Sequence, residues 1–412
     1  MSPSKESPSG KESLAKELDA LVDDAREELV ALCDRLVAAP SVNPPGDTVA
    51  VSGVVADYLR GHGREADLLA ADPIMPSVVS RTLGAGPGPH LVLNVHLDTM
   101  DPGDPSLWSV PIHRMTRRDG RLYGLGMGNM KGAVAAMSLA YTLLARYADH
   151  WQGKITFTAV SDECVFGGNG AAHLLDTLPD LAGDGLICGE GPGWMRLAVA
   201  EKGVLWLELA ASADGGHSSL ARRDSGAVPR LARFVSAVDD LNGWRTALTS
   251  DLEDVRVSDE DPSVRLSAST GTVTGGSYVS QISTEATAAV DFRLPPGIRM
   301  ADVEDQVSRI AAQIPGAHWS RIKGWEANWT GTRSPLVRAL AGAFREVRGT
   351  EPEYAIRLPA SDASRWRSRG VPALCFGPQP TLAAGIDDYA LEQDVVDCAK
   401  IYTRAALDFL ST

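Results

Sequence analysis

From Ser13 to about Ala39, the residues Leu14, Leu18, Leu21, Val22, Leu29, Leu32, Leu36 and Val37 recur at the spacing that keeps one side of a helix apolar. The helix this predicts should stop before Pro40–Gly46, because the prolines of PSVNPPG cannot continue it. A second helix is expected over Thr48–Gly61. The period then changes. His90–His96 (HLVLNVH) is short, apolar and rich in β-formers, the pattern of a buried strand. Lys131–Tyr147 follows as a helix, and Lys154–Val160 as a second buried strand that ends at Ser161-Asp162-Glu163-Cys164. Leu186–Cys188 reads as a third strand, leading into Gly189-Glu190-Gly191-Pro192. Strands alternating with helices predict an α/β fold with a mainly parallel sheet, whose ligand sites lie at the strand C-terminal ends. His96, Glu163 and Glu190 all fall there.

Between roughly Ala198 and Pro315 the pattern is different. Val204–Ser212 alternates as a strand, Ala227–Leu241 is helical, Arg265–Thr274 and Glu285–Leu294 read as strands, and Met300–Ile314 is helical again. Strand–helix–strand–strand–helix is the signature of a small α+β, ferredoxin-like sandwich. It predicts a domain at 197–316 inserted into a larger one made of 12–196 and 317–412. Leu336–Cys375 and Asp394–Leu410 would belong to the larger domain, and residues 1–11, polar and rich in Ser, Lys and Pro, to a disordered tail.

Composition narrows the function classes. The chain has 412 residues, suited to two domains, and a formal net charge of −14. Phosphate backbones need a basic surface, so nucleic acid is not the expected partner and a small molecule is. No apolar run approaches the roughly 18–20 residues that cross a bilayer, and no secretory signal is visible. The five cysteines (Cys33, Cys164, Cys188, Cys375 and Cys398) are odd in number and show no paired spacing. A reducing cytoplasm without a disulfide framework is therefore expected.

His96-Leu97-Asp98 ends the first buried strand. A His at a sheet end with an Asp two residues on is a common metal-ligand arrangement, the Asp accepting the second ring N–H. Gly124–Gly132 (GLGMGNMKG) is a glycine-rich turn entering a helix, but it matches neither the P-loop nor the dinucleotide fingerprint.

Taken together, these segments resemble the aminoacylase, carboxypeptidase G, acetylornithine deacetylase and succinyl-diaminopimelate desuccinylase family of two-zinc metallopeptidases. That family carries HxD, GRGxxDMKG, DEE, GEP and AHxxDE segments. Here they stand as His96–Asp98, Gly124–Gly132, Asp162–Cys164, Gly189–Pro192 and Ala383–Asp388. Gly216-His217-Ser218-Ser219, Gly275-Gly276 and Asp291-Phe292-Arg293 resemble motifs of its inserted domain. The resemblance runs in order from about Ser13 to Leu410 and implies the zinc-peptidase fold with an inserted dimerisation domain. It also implies two zinc ions about 3.5–4 Å apart, sharing a carboxylate and a water.

Carried over residue by residue, the resemblance makes His96 and Glu190 ligands of one ion and Glu163 the general base. Asp98 supports His96. His217 would reach across a homodimer to polarise the scissile carbonyl, and Arg293 would pair with a substrate carboxylate. Three ligand positions are altered: Asn129 replaces the bridging carboxylate, Cys164 the second DEE glutamate, and Ala384 the late histidine. No histidine follows His318, so no shift of register restores that ligand. Ser280 stands where the family has the asparagine that partners the arginine. The resemblance thus implies one zinc ion or none, with Asn129 and Ser280 near the substrate. The leading expectation is hydrolysis of an amide bond in an N-acyl amino acid or small peptide. Two alternatives stay open. Glu163, His96 and His217 could run acyl or proton transfer without metal, with Cys164, His96 and Asp98 as a nucleophilic triad, or the chain could bind carboxylate ligands without turnover.

Overall fold

The computed structural model describes residues 10–258, 260–380 and 385–411. It divides into two compact units, one formed by 1–199, 329–355 and 361–412, the other by 200–328 and 356–360.

In the first unit, strands run across the sheet in the order Asp67–Leu69, Ser77–Leu83, Lys154–Val160, His90–His96, Gly185–Cys188, Ala373–Cys375 and Leu197–Glu201. The four central strands are parallel, and antiparallel strands flank them on both sides. This is the mainly parallel α/β sheet that the alternating elements predict. Its central strands are buried almost throughout because helices cover both faces. Ala171–Thr177 and Ala363–Arg367 pack on Val79, Val92, Val160 and Leu186 of one face. On the other, the helix Gly132–Arg146 is buried from Gly132 to Ala145. A three-stranded antiparallel sheet of Thr116–Arg118, Arg121–Tyr123 and Tyr389–Leu391 brings Asp388 beside the glycine-rich turn.

The strands His90–His96 and Lys154–Val160 have the expected limits. The N-terminal helix differs. It breaks at Ala25 into Lys11–Asp24 and Arg26–Val37, and it starts at Lys11, inside the expected tail. The rest of that tail, residues 1–9, lies outside the described residues.

The second unit is a four-stranded antiparallel sheet in the order Ser267–Gly275, Glu285–Leu294, Gly203–Ser212 and Ala317–Trp325. The helices Ala227–Asp239 and Met300–Ala311 supply Leu231, Phe234, Val238, Val303 and Val307 to a core with Leu205, Leu207, Leu209, Val290 and Phe292. Burial alternates along Glu285–Leu294, as one covered face requires. The expected boundary at 316 falls one strand short. Ala317–Trp325 pairs with Gly203–Ser212, so the unit runs on to 328.

Candidate active site

His96 closes its strand with 1% of its side chain exposed. Its Nδ1 lies 2.9 Å from the backbone carbonyl of Asp98 and 3.5 Å from that residue's carboxylate. The backbone, not the expected carboxylate, is therefore the ring's closer partner. The Asp98 carboxylate instead organises the next loop. It accepts from the backbone N–H of Glu163 (3.1 Å) and of Cys164 (2.9 Å), and from Asn43 Nδ2 (2.9 Å). Burial works against its charge, but the adjacent imidazole and these donors hold its pKa down to about 2.

The same loop brings a Glu163 oxygen to 3.7 Å from His96 Nε2, and Asn129 Oδ1 lies 3.2 Å from that nitrogen. Burial opposes a charge on His96, yet Glu163, Asp98 and Glu190 together push its pKa up to about 10. Glu163 is raised well above the carboxylate range, first by burial and then by Glu190, with His96 pulling the other way. The Cys164 thiol is also pushed up, by burial and then by Asp98, Glu163 and Glu190. Those carboxylates disfavour the thiolate that a nucleophilic triad would need.

The glycine-rich turn wraps a carboxylate rather than a phosphate. Gly126 and Gly128 donate their N–H groups to Asp388 at 2.8 and 3.1 Å. Gly126 has φ +83°, and a Cβ on Gly128 would sit 2.6 Å from Asp388 Oδ1. Burial brings the pKa of Asp388 up to about 7, opposed by these N–H groups, and that of buried Lys131 down to about 7. Lys131 donates to the Ala39 carbonyl at 3.0 Å.

His96, Asp98, Asn129, Glu163 and Cys164 are thus brought together, with Glu190 close enough to act on His96 and Glu163 electrostatically. Ala384 lies outside the described residues. In the second unit, exposed His217 bonds Ser219 Oγ at 2.8 Å and shares with Ser280 a cavity of about 800 Å³. Arg293 is paired with Asp291 by hydrogen bonds of 3.0–3.1 Å.

Sequence reasoning missed Asp362. It is 3% exposed, accepts from Asn94 Nδ2 (3.2 Å) and Arg365 Nε (3.3 Å), and feels the fields of His96 and Glu190. Burial raises its pKa, with Arg365 the strongest opposing group. Its segment, PASDAS, has small residues around a single acid, and that placement after an apolar strand is the one local signal available.

A cation fits this donor set. His96 Nε2 or Nδ1, a Glu163 oxygen and Cys164 Sγ offer ligand atoms all within 4.8 Å of one another, a nitrogen, oxygen and sulfur set suited to one tetrahedral zinc-like ion. Four buried carboxylates (Asp98, Glu163, Glu190 and Asp362) around one imidazole also leave negative charge for a cation or protons to offset. The expected pair of His96 and Glu190 is not the tight group: Glu163 takes the close position.

A mainly parallel sheet thus carries a buried imidazole and clustered carboxylates at its strand ends, an arrangement suited to a hydrolase of the metallopeptidase type. The chain belongs to peptidase family M20/M25/M40, whose model matches residues 92–408. A succinyl-diaminopimelate desuccinylase of Bradyrhizobium sp. (strain ORS 278) is 27% identical over 78% of this chain and 83% of its own. An N-formyl-4-amino-5-aminomethyl-2-methylpyrimidine deformylase of Halalkalibacterium halodurans is 22% identical over 97% of each chain. Human carnosine dipeptidase 1 shares the fold with TM-score 0.72 at 16% identity, covering 98% of this chain and 100% of its own. The Bacillus subtilis YXEP protein, described as a dinuclear metal binding peptidase, shares it at 0.67 and 13% identity, over 96% and 99%. The protein is thus an M20-family enzyme, a hydrolase. No helix among the described residues is long and apolar enough to cross a membrane.

Proposed function

We propose that this enzyme hydrolyses the amide bond of a small N-acyl amino acid or dipeptide bearing a free carboxylate, with Glu163 as the proton carrier and no more than one metal ion. The observation that carries this reading is the placement of Glu163. It is a buried carboxyl 3.7 Å from an imidazole, on a loop clamped by Asp98, with burial and then Glu190 raising its proton affinity. The names of the relatives, a desuccinylase and a deformylase, support removal of an acyl group from nitrogen.

His96 and Cys164, with Glu190 nearby, would hold the ion, which when bound would supply Lewis-acid polarisation and leave Glu163 to carry the proton. Glu163 takes a proton from the attacking water and returns it to the leaving nitrogen, so amide and water become carboxylate and amine. Cys164 serves as a soft donor and not as the nucleophile. By the family resemblance, His217 of a second copy would polarise the carbonyl and Arg293 would pair with the substrate carboxylate, with Ser280 lining the cavity beside His217.

The test is a panel of N-succinyl, N-formyl and N-acetyl amino acids and dipeptides, with Glu163→Gln as the variant. The amide keeps the shape but cannot carry a proton, so kcat should fall about 10²–10⁴-fold while binding survives. Metal analysis of the protein should give at most one ion per chain. Two ions per chain, or full turnover by Glu163→Gln, would overturn the reading.

A further inference from the structure

The loop from Ser161 to Gly170 carries Glu163 but has no regular secondary structure, and Asp162 and Phe166 sit at φ of 62° and 52°. Such a loop holds a side chain still only if its surroundings over-determine it. One side is tied by Asp98, and by Asp162, which accepts from Asn169 N (2.9 Å) and Nδ2 (3.0 Å).

The other side is held by Arg365. Its Nη2 donates to the Gly167 carbonyl at 2.7 Å, and its guanidinium lies 4.0 Å from the centre of the Phe166 ring. Its Nε donates to Asp362, whose second oxygen accepts from Asn94. Asn94 lies two residues before His96 on the same strand, and its Oδ1 accepts from Thr158 Oγ1 at 2.8 Å. An unbroken chain of contacts therefore joins the His96 strand to the Glu163 loop without passing through Asp98. We propose that Asp362 and Arg365 form a latch that fixes the Glu163 loop, making both positioning residues for proton transfer at Glu163.

The chemistry suits an arginine. Its planar fork serves a carboxylate and a carbonyl at once while its face covers a ring, which an ammonium cannot do. The pair is also interdependent. With side chains 15% and 3% exposed, either partner left alone would be a poorly compensated buried charge. Asp98 can position the amides of Glu163 and Cys164, but none of its contacts reaches Phe166 or Gly167. Arg365 supplies both.

The proposal rests on the reading of Glu163 as proton carrier, but its first measurement does not. In hydrogen exchange on the full chain, Arg365→Met and Asp362→Asn should each speed exchange in the 161–170 segment about tenfold or more, with Gly132–Arg146 unchanged. The double variant should add little further, because the two side chains act as one unit. If Arg365→Met does not fold, Arg365→Lys is read in the same way. With a cleaved N-acyl substrate, kcat should fall about 10–100-fold while KM moves less than about threefold, since a displaced base loses rate and not affinity. Arg365→Ala should regain part of its kcat with guanidinium ion. Unchanged loop exchange in folded variants would overturn the latch, as would additive effects in the double variant. Loop opening in a protein that cleaves no amide would uphold the latch and sink the hydrolase reading instead.

Discussion

His90 and His96 begin and end one strand, and their surroundings drive them in opposite directions. Carboxylates surround His96 and favour its proton. His90 is half-buried near Lys154, with Nε2 2.8 Å from Thr156 Oγ1, and burial together with that lysine lowers its pKa to about 4. An unfolded chain holds a histidine near about 6.5, so between these values the unfolded state binds the extra proton. The stability His90 contributes is therefore complete above pH about 6.5 and is lost as pH falls through about 4. The melting temperature should drop across that window, and His90→Gln should flatten the drop. Parallel curves for the two proteins would refute this. At this scale the sequence showed His96, Glu163 and Glu190, because each ends a strand beside a recognisable segment. Asp362 stayed hidden because its importance comes from Asn94 and Arg365, which nothing in PASDAS announces.

Elements at the strand ends are locked by backbone packing. A Cβ on Gly377 would meet the Gly189 carbonyl oxygen at 1.8 Å, and one on Gly191 would meet the Gly377 oxygen at 2.7 Å. Two turns thus press main chain on main chain beside Glu190, with no side-chain end free to yield. Gly377→Ala should destabilise the protein by about 3 kcal/mol, measured by chemical denaturation, and should displace Glu190. A stability loss below about 0.5 kcal/mol would show that the turns can part. Buried strands were legible as elements because their apolar runs answer to the sheet. Ala317–Trp325 was not. AHWSRIKGW has no clean alternation, and the pairing to Gly203–Ser212 makes it a strand.

Assembly belongs to the scale of the whole molecule. In the second unit, Ser267–Gly275 is an edge strand with most of its residues exposed. Val273 is 63% exposed, and with Val228, Leu231 and Val235 it lines a groove of about 710 Å³. An open strand edge is a template for another strand, and we propose that a second copy occupies it, making the homodimer that the retained His217 suggests. Light scattering should give a dimer at micromolar concentration, and Val273→Lys with Val228→Asp should give a folded monomer. A wild-type monomer with full activity would end this proposal.

The sequence by itself determined the sheet, the inserted unit and the segments that hold His96, Glu163 and Glu190, because periodicity and short motifs are local properties. It also supplied the residue identities, Asn129 and Ala384, at the positions where the family resemblance implies a bridging and a late ligand, since identity needs no coordinates. Tertiary structure alone decided that Glu163 rather than Glu190 joins His96 and Cys164 in the tight group. It also decided that Asp98 clamps a loop 65 residues away, and that Asp362 stands among the site acids. These facts depend on distances between segments remote in the chain, and on burial that raises the proton affinity of Glu163 and Asp362.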